Sequence, residues 1–543
     1  MLITNFLEHN ARHYGLDTAL VEISPTEERD QVKNWREASL IEQSNPDAPY
    51  RRDLNWRHFD LYSNRIANLL LSRGLKKGTK VGLLLMNCLE WLPFYFGILK
   101  AGGVVVPLNF RYDSDEIKYC CDLADVEVLL FGREFVSRID KIHNDMDKVH
   151  TYFYIGRHCP EYAERAVELA QYCTDFPSPV HIDEEDEAAI YFSSGTTGFP
   201  KAILHNHKSL VYSCITEQEN HRQTHDDVFL LIPPLYHTGA KMHWFGSLIS
   251  HSKAVILRGV KPEWIMRAIT EEKCTIVWLL VPWAQDILDA IDDGRINLDD
   301  YLLDEWRLMH IGAQPVPPSL IKRWKKVFPH HDYDTNYGLS ESLGPGCVHL
   351  GLENIEKVGA IGIPGDHWEA KIVDDDMNEV KNGEIGELAV KGPSVMLEYY
   401  KNPEATKEVL HNGWLLTGDT AQRDEDGFIY LVDRKKDVII SGGENLYPVQ
   451  IENHIRAFDK VKDVAVIGTP DPRLGEIATA IIEVKEPTTE DEINEFCKTL
   501  PRYKRPRKII FDDIPRNPTG KIEKPKLREK YCSEGLVRAQ TNA

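Results

Sequence analysis

Runs of β-branched residues and leucine recur along the chain, among them Val81-Gly-Leu-Leu-Leu, Val104-Val-Val, Val126-Glu-Val-Leu-Leu-Phe and Ala254-Val-Ile-Leu, with helical spacing of apolar residues between them. These runs are apolar at successive positions, so the strands they predict must be covered on both faces. Parallel sheet packed between helices meets that demand, and the alternation predicts α/β architecture. No repeat with a period of about 20 to 50 residues interrupts it. The opening, Met1-Leu-Ile-Thr-Asn-Phe-Leu-Glu-His-Asn, predicts an amphipathic helix and lacks the charged, apolar, small-residue order of a signal peptide, so a cytoplasmic location is expected. The most apolar stretch, Trp91 to Phe110, is broken by Pro93, Lys100 and Pro107. It predicts a core helix and a strand, not a membrane span of about 20 apolar residues.

Two regions set the domain plan. Residues 24–53, from Ser24-Pro-Thr-Glu-Glu-Arg-Asp to Pro49-Tyr-Arg-Arg-Asp, have little apolar periodicity and predict a surface insertion. After Asp433 the texture changes: Arg434-Lys-Lys-Asp precedes the glycine turn Ser441-Gly-Gly, and a compact helix and strand alternation runs through Leu527. A hinge is expected there. It divides a large N-terminal domain over 1–433, built of packed mixed and parallel sheets flanked by helices, from a small mobile α+β domain over 434–543. Within the latter, Thr489-Glu-Asp-Glu predicts a capping box opening a helix, and Cys532 to Ala543 predict a frayed tail. The length agrees with this plan, because 543 residues exceed the roughly 250 to 300 that one core supports.

Charge narrows the function. A formal net charge of -21 argues against non-specific nucleic-acid binding, which depends on Lys and Arg neutralising phosphates. Anionic substrates must then meet locally positive pockets. The ten cysteines, Cys120 and Cys121 included, show no metal-ligand spacing and predict reduced thiols. A homodimer is left open.

The densest chemical signal is Ser193-Ser194-Gly195-Thr196-Thr197-Gly198-Phe-Pro-Lys201, following the apolar run Ala188-Ala-Ile. Its glycines and hydroxyls let backbone N–H groups and side chains wrap phosphate oxygens while Lys201 supplies charge. Glycine and hydroxyl clusters also build ordinary polar turns, but the hydroxyl density and the lysine favour a nucleotide. The spacing is not that of the P-loop NTPases. In Asn336-Tyr337-Gly338-Leu339-Ser340-Glu341, an aromatic face can stack on adenine, a hydroxyl can meet the α-phosphate and a carboxylate can hold Mg²⁺.

The phosphate segment resembles the signature of the superfamily of acyl-coenzyme A synthetases, luciferases and peptide-synthetase adenylation domains. Further motifs of that superfamily follow in order: Lys100-Ala-Gly-Gly-Val-Val-Val-Pro-Leu-Asn, Pro233-Pro-Leu-Tyr-His-Thr-Gly, Asn336-Tyr-Gly-Leu-Ser-Glu, Gly386-Glu-Leu, Trp414-Leu-Leu-Thr-Gly-Asp, Arg434-Lys-Lys-Asp-Val-Ile-Ile-Ser-Gly-Gly-Glu-Asn and Pro518-Thr-Gly-Lys-Ile. The resemblance implies an AMP-forming carboxylate:coenzyme A ligase using ATP, Mg²⁺ and coenzyme A. It assigns Lys521 as the catalytic lysine, with Lys201, Glu341 and His237 also catalytic and Thr197 and Glu341 at magnesium. Nucleotide would be held by Ser193 to Gly198, Lys201, Gly312, Ala313, Gln314, Asn336, Tyr337, Gly338, Ser340, Asp419, Arg434 and Lys521. Asp419 and Arg434 would take the ribose. Ser340 replaces the family's usual threonine and keeps its hydroxyl; Gln314 is not the family's commonest residue. Lys436 matches the hinge of a small domain that alternates between two half-reactions. Lys435, Ser441, Gly442 and Gly443 would border the coenzyme A tunnel.

The same resemblance implies that His237 gates the acyl pocket, although a satisfied core histidine is an equal reading. The pocket would be lined by Gly239, Ala240, Lys241, Trp278, Leu339 and Gly344. A lysine facing an alkyl tunnel would be costly without a partner, so Lys241 either pairs with the protein or binds a second polar group on the substrate. The latter predicts an aromatic or dicarboxylic acid. The alternatives are a medium- or long-chain fatty acyl-coenzyme A synthetase, a stand-alone adenylation or luciferase-like enzyme, and a non-catalytic nucleotide-binding protein. The basic run Arg502-Tyr-Lys-Arg-Pro-Arg-Lys predicts a solvated loop or a contact with coenzyme A phosphates.

Overall fold

The apolar runs become the inner strands of two large sheets in a computed structural model, which describes residues 1–25, 50–193, 200–312, 316–349, 351–442, 444–516 and 522–540. Lys253–Leu257 pairs in parallel with Thr18–Ile23 on one side and Val228–Leu231 on the other. The sheet continues in parallel through Ile276–Leu280, Leu308–Gly312 and Asp332–Leu339. Antiparallel strands close both edges, giving a nine-stranded sheet. An eight-stranded sheet holds Lys80–Leu84, Val104–Pro107 and Val126–Gly132 at its parallel centre. At its edge Glu187–Phe192 pairs antiparallel with Ala202–Asn206, and that strand with Glu398–Tyr399. Ile439–Ser441 begins a further five-stranded sheet, against whose long strand Val461–Asp471 two helices pack, Pro448–Arg456 and Lys524–Gln540. The α/β class with a C-terminal α+β unit is therefore observed.

The helix Trp91–Lys100 lies wholly inside, every residue buried. Gly97 makes this possible: a Cβ there would stand 2.5 Å from Ile66 Cγ2, so only glycine lets this helix cross Trp56–Ser72 so closely. Lys100, buried at its end, donates to Asp60 at 2.6 Å and Asn64 at 2.8 Å, which satisfies its charge. Among the described residues no helix is long and apolar enough to cross a membrane. Thr489 caps Glu490–Phe496 with the expected reciprocal capping box.

One expectation is corrected. The segment 24–53 is not surface at its ends: Ser24 is buried, and Arg51–Asn55 forms the antiparallel edge strand of the nine-stranded sheet. Its arginines disguise it, because Arg52 is buried between Glu22 and Glu90 at 2.8 Å each. Residues 26–49 lie outside the described part. Of the tail, Cys532 lies in the helix Lys524–Gln540, and residues 541–543 lie outside the described part.

Candidate active site

The carboxyl ends of the parallel strands Leu308–Gly312 and Asp332–Leu339 meet at one place, where α/β sheets bind ligands. The second strand turns back at Ser340-Glu341 into Gly344–His349. This hairpin presents two hydrogen-bonded groups of side chains.

On one side, the buried Tyr337 hydroxyl donates to Asp419 Oδ2 at 2.5 Å. Arg434 Nε stands 3.3 Å from Asp419 Oδ1. Asp419 and Arg434 are direct partners across the antiparallel strands Trp414–Arg423 and Ile429–Arg434, so two motifs far apart in sequence share one carboxylate. Burial, and then the Asp419 charge, push the Tyr337 phenol well above its ordinary value. It stays a neutral donor.

On the other side, Ser193 N donates to Lys201 O at 3.0 Å and Lys201 N to Ser193 Oγ at 3.1 Å, clamping the phosphate segment where it leaves and rejoins the sheet. Lys201 Nζ lies 4.5 Å over the Tyr399 ring. The Tyr399 hydroxyl donates to Glu341 Oε1 at 2.9 Å, and Met396 N donates to Glu341 O at 2.7 Å. Tyr399 thus joins Lys201 to Glu341. Sequence reasoning missed it; its only signal is an aromatic pair, Tyr399-Tyr400, where the short edge strand Glu398–Tyr399 ends.

Ser340 ties this hairpin to the Pro233-to-Gly239 loop, its Oγ 3.1 Å from Thr238 Oγ1, and its carbonyl lies 2.9 Å from His205 Nε2. His237 caps the helix Thr238–Ile249, Nδ1 accepting from Gly239 N at 3.2 Å. Asn87 sets the approach by donating to Pro233 O at 2.9 Å and accepting from Leu235 N at 2.8 Å. Gly239 packs on the Trp278 indole, Ala240 is buried, and the Lys241 side chain lies outside the described part. Leu339 packs in the cluster of Trp368 and Met396, and a Cβ on Gly344 would meet Trp368 at 3.5 Å. Asn336 turns its amide inward to Glu217 Oε1 at 3.1 Å. Beneath it His310 Nδ1 and Asp334 Oδ1 are 2.5 Å apart, a buried pair absent from the sequence expectations. A histidine within an apolar strand gives no signal of such a partner on the next strand.

At the junction, Lys435 Nζ reaches Asp375 at 2.8 Å and Glu387 at 3.2 Å. Lys436 occupies the single turn Lys435–Asp437. Desolvation by the junction, then Arg434, lower its ammonium to about 8 although the side chain keeps contact with solvent. Ser441 pairs with Gly475, and Gly442 N donates to Leu474 O at 2.8 Å. Ser194, Gly195, Thr196, Thr197, Gly198, Ala313, Gln314, Gly443 and Lys521 lie outside the described residues.

With that geometry in place, likeness to known proteins is specific. Residues 29–400 match the model of the AMP-binding enzyme family, and residues 450–521 that of the AMP-binding enzyme C-terminal domain. The long-chain-fatty-acid–CoA ligase FadD13 of Mycobacterium tuberculosis is 33% identical over 88% of this chain and 93% of its own length. A feruloyl-CoA synthase of an Amycolatopsis species is 30% identical over 86% of this chain and 92% of its own. The anthranilate CoA ligase AuaEII, solved with anthranoyl-AMP, shares the fold with a TM-score of 0.86 at 24% identity, over 99% of this chain and 98% of its own. The chain belongs to the AMP-binding enzyme family and is an acid–thiol ligase of the AMP-forming acyl-coenzyme A synthetase type.

Proposed function

We propose that the enzyme activates a carboxylic acid bearing a second polar group, a ring-substituted aromatic or a dicarboxylic acid. A substrate carboxylate oxygen attacks the α-phosphorus of ATP; an O–P bond forms and the bond to pyrophosphate breaks. Coenzyme A sulfur then attacks the acyl carbon, forming the C–S bond as AMP leaves and the thiol proton is released. The observation that carries the site assignment is the convergence of two groups on one hairpin: Tyr337, Asp419 and Arg434 suit adenosine, and Glu341, Tyr399 and Lys201 suit phosphate.

In this reading Asp419 accepts from the ribose hydroxyls, Arg434 orients Asp419, and Lys201 neutralises phosphate charge. Glu341 and Thr197 would hold Mg²⁺, whose preference for hard oxygen donors a carboxylate and a hydroxyl meet; the ion supplies charge neutralisation when bound. Tyr399 engages Glu341 through Oε1 and fixes its direction. Lys521 comes from the small unit, and its ammonium offsets repulsion between the substrate carboxylate and the α-phosphate. Rotation about Lys436 then presents Lys435 and Ser441 to Gly443 to coenzyme A.

The likeness to feruloyl-CoA synthase supports an aromatic acid, and Lys241 supports a second anionic group. Identity with FadD13 favours a second reading, a long-chain fatty acid. Pyrophosphate release, with and without coenzyme A, across aliphatic, aromatic and dicarboxylic acids tests both. Turnover confined to long-chain acids rejects the first reading. Lys521→Ala should lower adenylation about 100 to 1,000-fold while thioester formation from supplied acyl adenylate persists; unimpaired pyrophosphate exchange would reject that role.

A further inference from the structure

The Pro233-to-Gly239 loop leaves the strand Val228–Leu231 with two prolines in succession, so past Ile232 its first backbone N–H is that of Leu235. A segment that cannot pair within itself must find its hydrogen-bond partners elsewhere. Asn87 supplies them. It stands just beyond the carboxyl end of Lys80–Leu84, a strand of the other large sheet. Its amide accepts from Leu235 N at 2.8 Å and donates to Pro233 O at 2.9 Å. A backbone N–H can only donate and a carbonyl can only accept, so the two partners fix which way the amide faces. One side chain thereby stands in for a neighbouring strand.

A second contact comes from the same sheet. Val104–Pro107 pairs in parallel with Lys80–Leu84, and just past its carboxyl end Phe110 meets Tyr236 edge to face, ring centroids 5.2 Å apart. Arg138 fixes that turn by donating to Phe110 O at 2.6 Å and to Tyr112 O at 2.9 Å. The loop belongs to the nine-stranded sheet and is held by the eight-stranded one. At its far end His237 N donates to Pro234 O at 3.1 Å, and the next residue, Thr238, is buried with Oγ1 3.1 Å from Ser340 Oγ. A path of contacts therefore runs from the Asn87 amide through the loop backbone and Thr238 to the hairpin that carries Glu341.

We propose that Asn87 is a positioning residue for the adenylation step. By holding Pro233 and Leu235 it sets Thr238, and Thr238 sets the Ser340 hydroxyl on the phosphate side of the site. This rests on the Ser340-Glu341 hairpin being that phosphate side, as in the proposed function, and is independent of which acid is bound. Adenosine is assigned to Tyr337, Asp419 and Arg434, which stand outside the path from Asn87. Loosening the path should therefore leave ATP binding in place and lower the rate of the chemical step. A displacement of about 1 Å that originates far from the reacting atoms can cost about 100-fold.

The test uses the full-length enzyme with ATP, Mg²⁺ and whichever of the aliphatic, aromatic and dicarboxylic acids turns over fastest, read as acid-dependent pyrophosphate exchange. Asn87→Ala should lower kcat at least about tenfold, with KM for ATP within about threefold of wild type. Asn87→Asp can still accept from Leu235 N but has no proton for Pro233 O, so it should fall between the two; it takes the place of the alanine variant throughout if that one does not fold. Thr238→Val should also lower kcat, and Thr238→Ser should keep it. Adding Asn87→Ala to Thr238→Val should cost less than the product of the two separate losses, because residues acting along one path are not additive. A kcat within about twofold of wild type in both Asn87 variants, a loss that appears in KM for ATP instead, or losses that multiply in the double variant overturns the proposal. Glu341→Gln separates this from the reading beneath it. Activity near wild type there rejects the hairpin as the phosphate side, whereas a large loss there beside unimpaired Asn87 variants rejects only the role of Asn87.

Discussion

Arg52 and Asp433 are almost equally buried, at 1% and 5% exposed, yet their surroundings treat the charge in opposite ways. Arg52 lies between Glu22 and Glu90, and Leu89 N donates to Glu22 at 2.8 Å. Burial alone would lower the guanidinium's pKa, but the two carboxylates outweigh it and hold it above the ordinary value. This network pins the edge strand Arg51–Asn55 to Thr18–Ile23 and to the start of the helix Trp91–Lys100. Asp433 accepts from Val449 N at 2.9 Å and Arg434 N at 2.7 Å, with Lys524 as the nearby cation and Glu452 beside it. There burial wins, and the carboxyl is pushed up to about 6. Charge is matched where the sheet must be fixed and under-compensated where the proposed hinge must turn.

The largest expected effect breaks the matched side. Arg52→Met would remove the guanidinium that bridges two buried carboxylates, leaving Arg258 3.7 Å from Glu22, and should cost about 3–5 kcal/mol, read as a fall in the urea midpoint at constant slope. A loss under about 1 kcal/mol would show that water reaches the site and that the network is not closed. Asp433→Asn tests the under-compensated side. A carboxyl whose folded pKa is raised from 3.8 to about 6 favours the fold when protonated, so its penalty is absent below about pH 4, grows between pH 4 and 6, and is complete near pH 7. Two units correspond to at most about 3 kcal/mol, so the stability of Asp433→Asn relative to wild type should rise across that window. Part is offset by roughly 1 kcal/mol from weakening the bond that caps Pro448–Arg456. A difference flat from pH 4 to 7 would place Asp433 with Arg52 and erase the contrast. The smallest effect is kinetic: Lys436→Pro, which disfavours helical backbone at Lys435, should slow thioester formation about tenfold, or about 1.4 kcal/mol, with less than threefold change in pyrophosphate exchange. Equal slowing of both would reject the hinge.

The parallel strands, the buried helix Trp91–Lys100 and the Thr489 cap were legible because each is written in a local pattern of a few residues. The nucleotide motifs were legible for the same reason, and strand pairing adds the fact that Asp419 and Arg434 are one unit. What stayed hidden depends on neighbours distant in sequence. Arg51-Arg52-Asp53 looks like solvated charge until Glu22 and Glu90 are placed beside it. His310 and Asp334 are ordinary strand residues until parallel register sets them side by side, and Tyr399 shows its place only when Glu398–Tyr399 docks on Ala202–Asn206.

That last docking has a consequence for synthesis. Ala202–Asn206 leaves the ribosome long before Tyr399 does, and at about 5–20 residues per second the delay is on the order of 10 to 40 seconds. Throughout it the nascent sheet ends on an unpaired strand, a template for other extended chains. Lys201 also waits for the ring it will sit above and for the carboxylate beyond it. The proposed nucleotide site therefore cannot be assembled as soon as Lys201 is made, and the growing chain must keep an exposed strand apart from its neighbours until Glu398–Tyr399 has been translated.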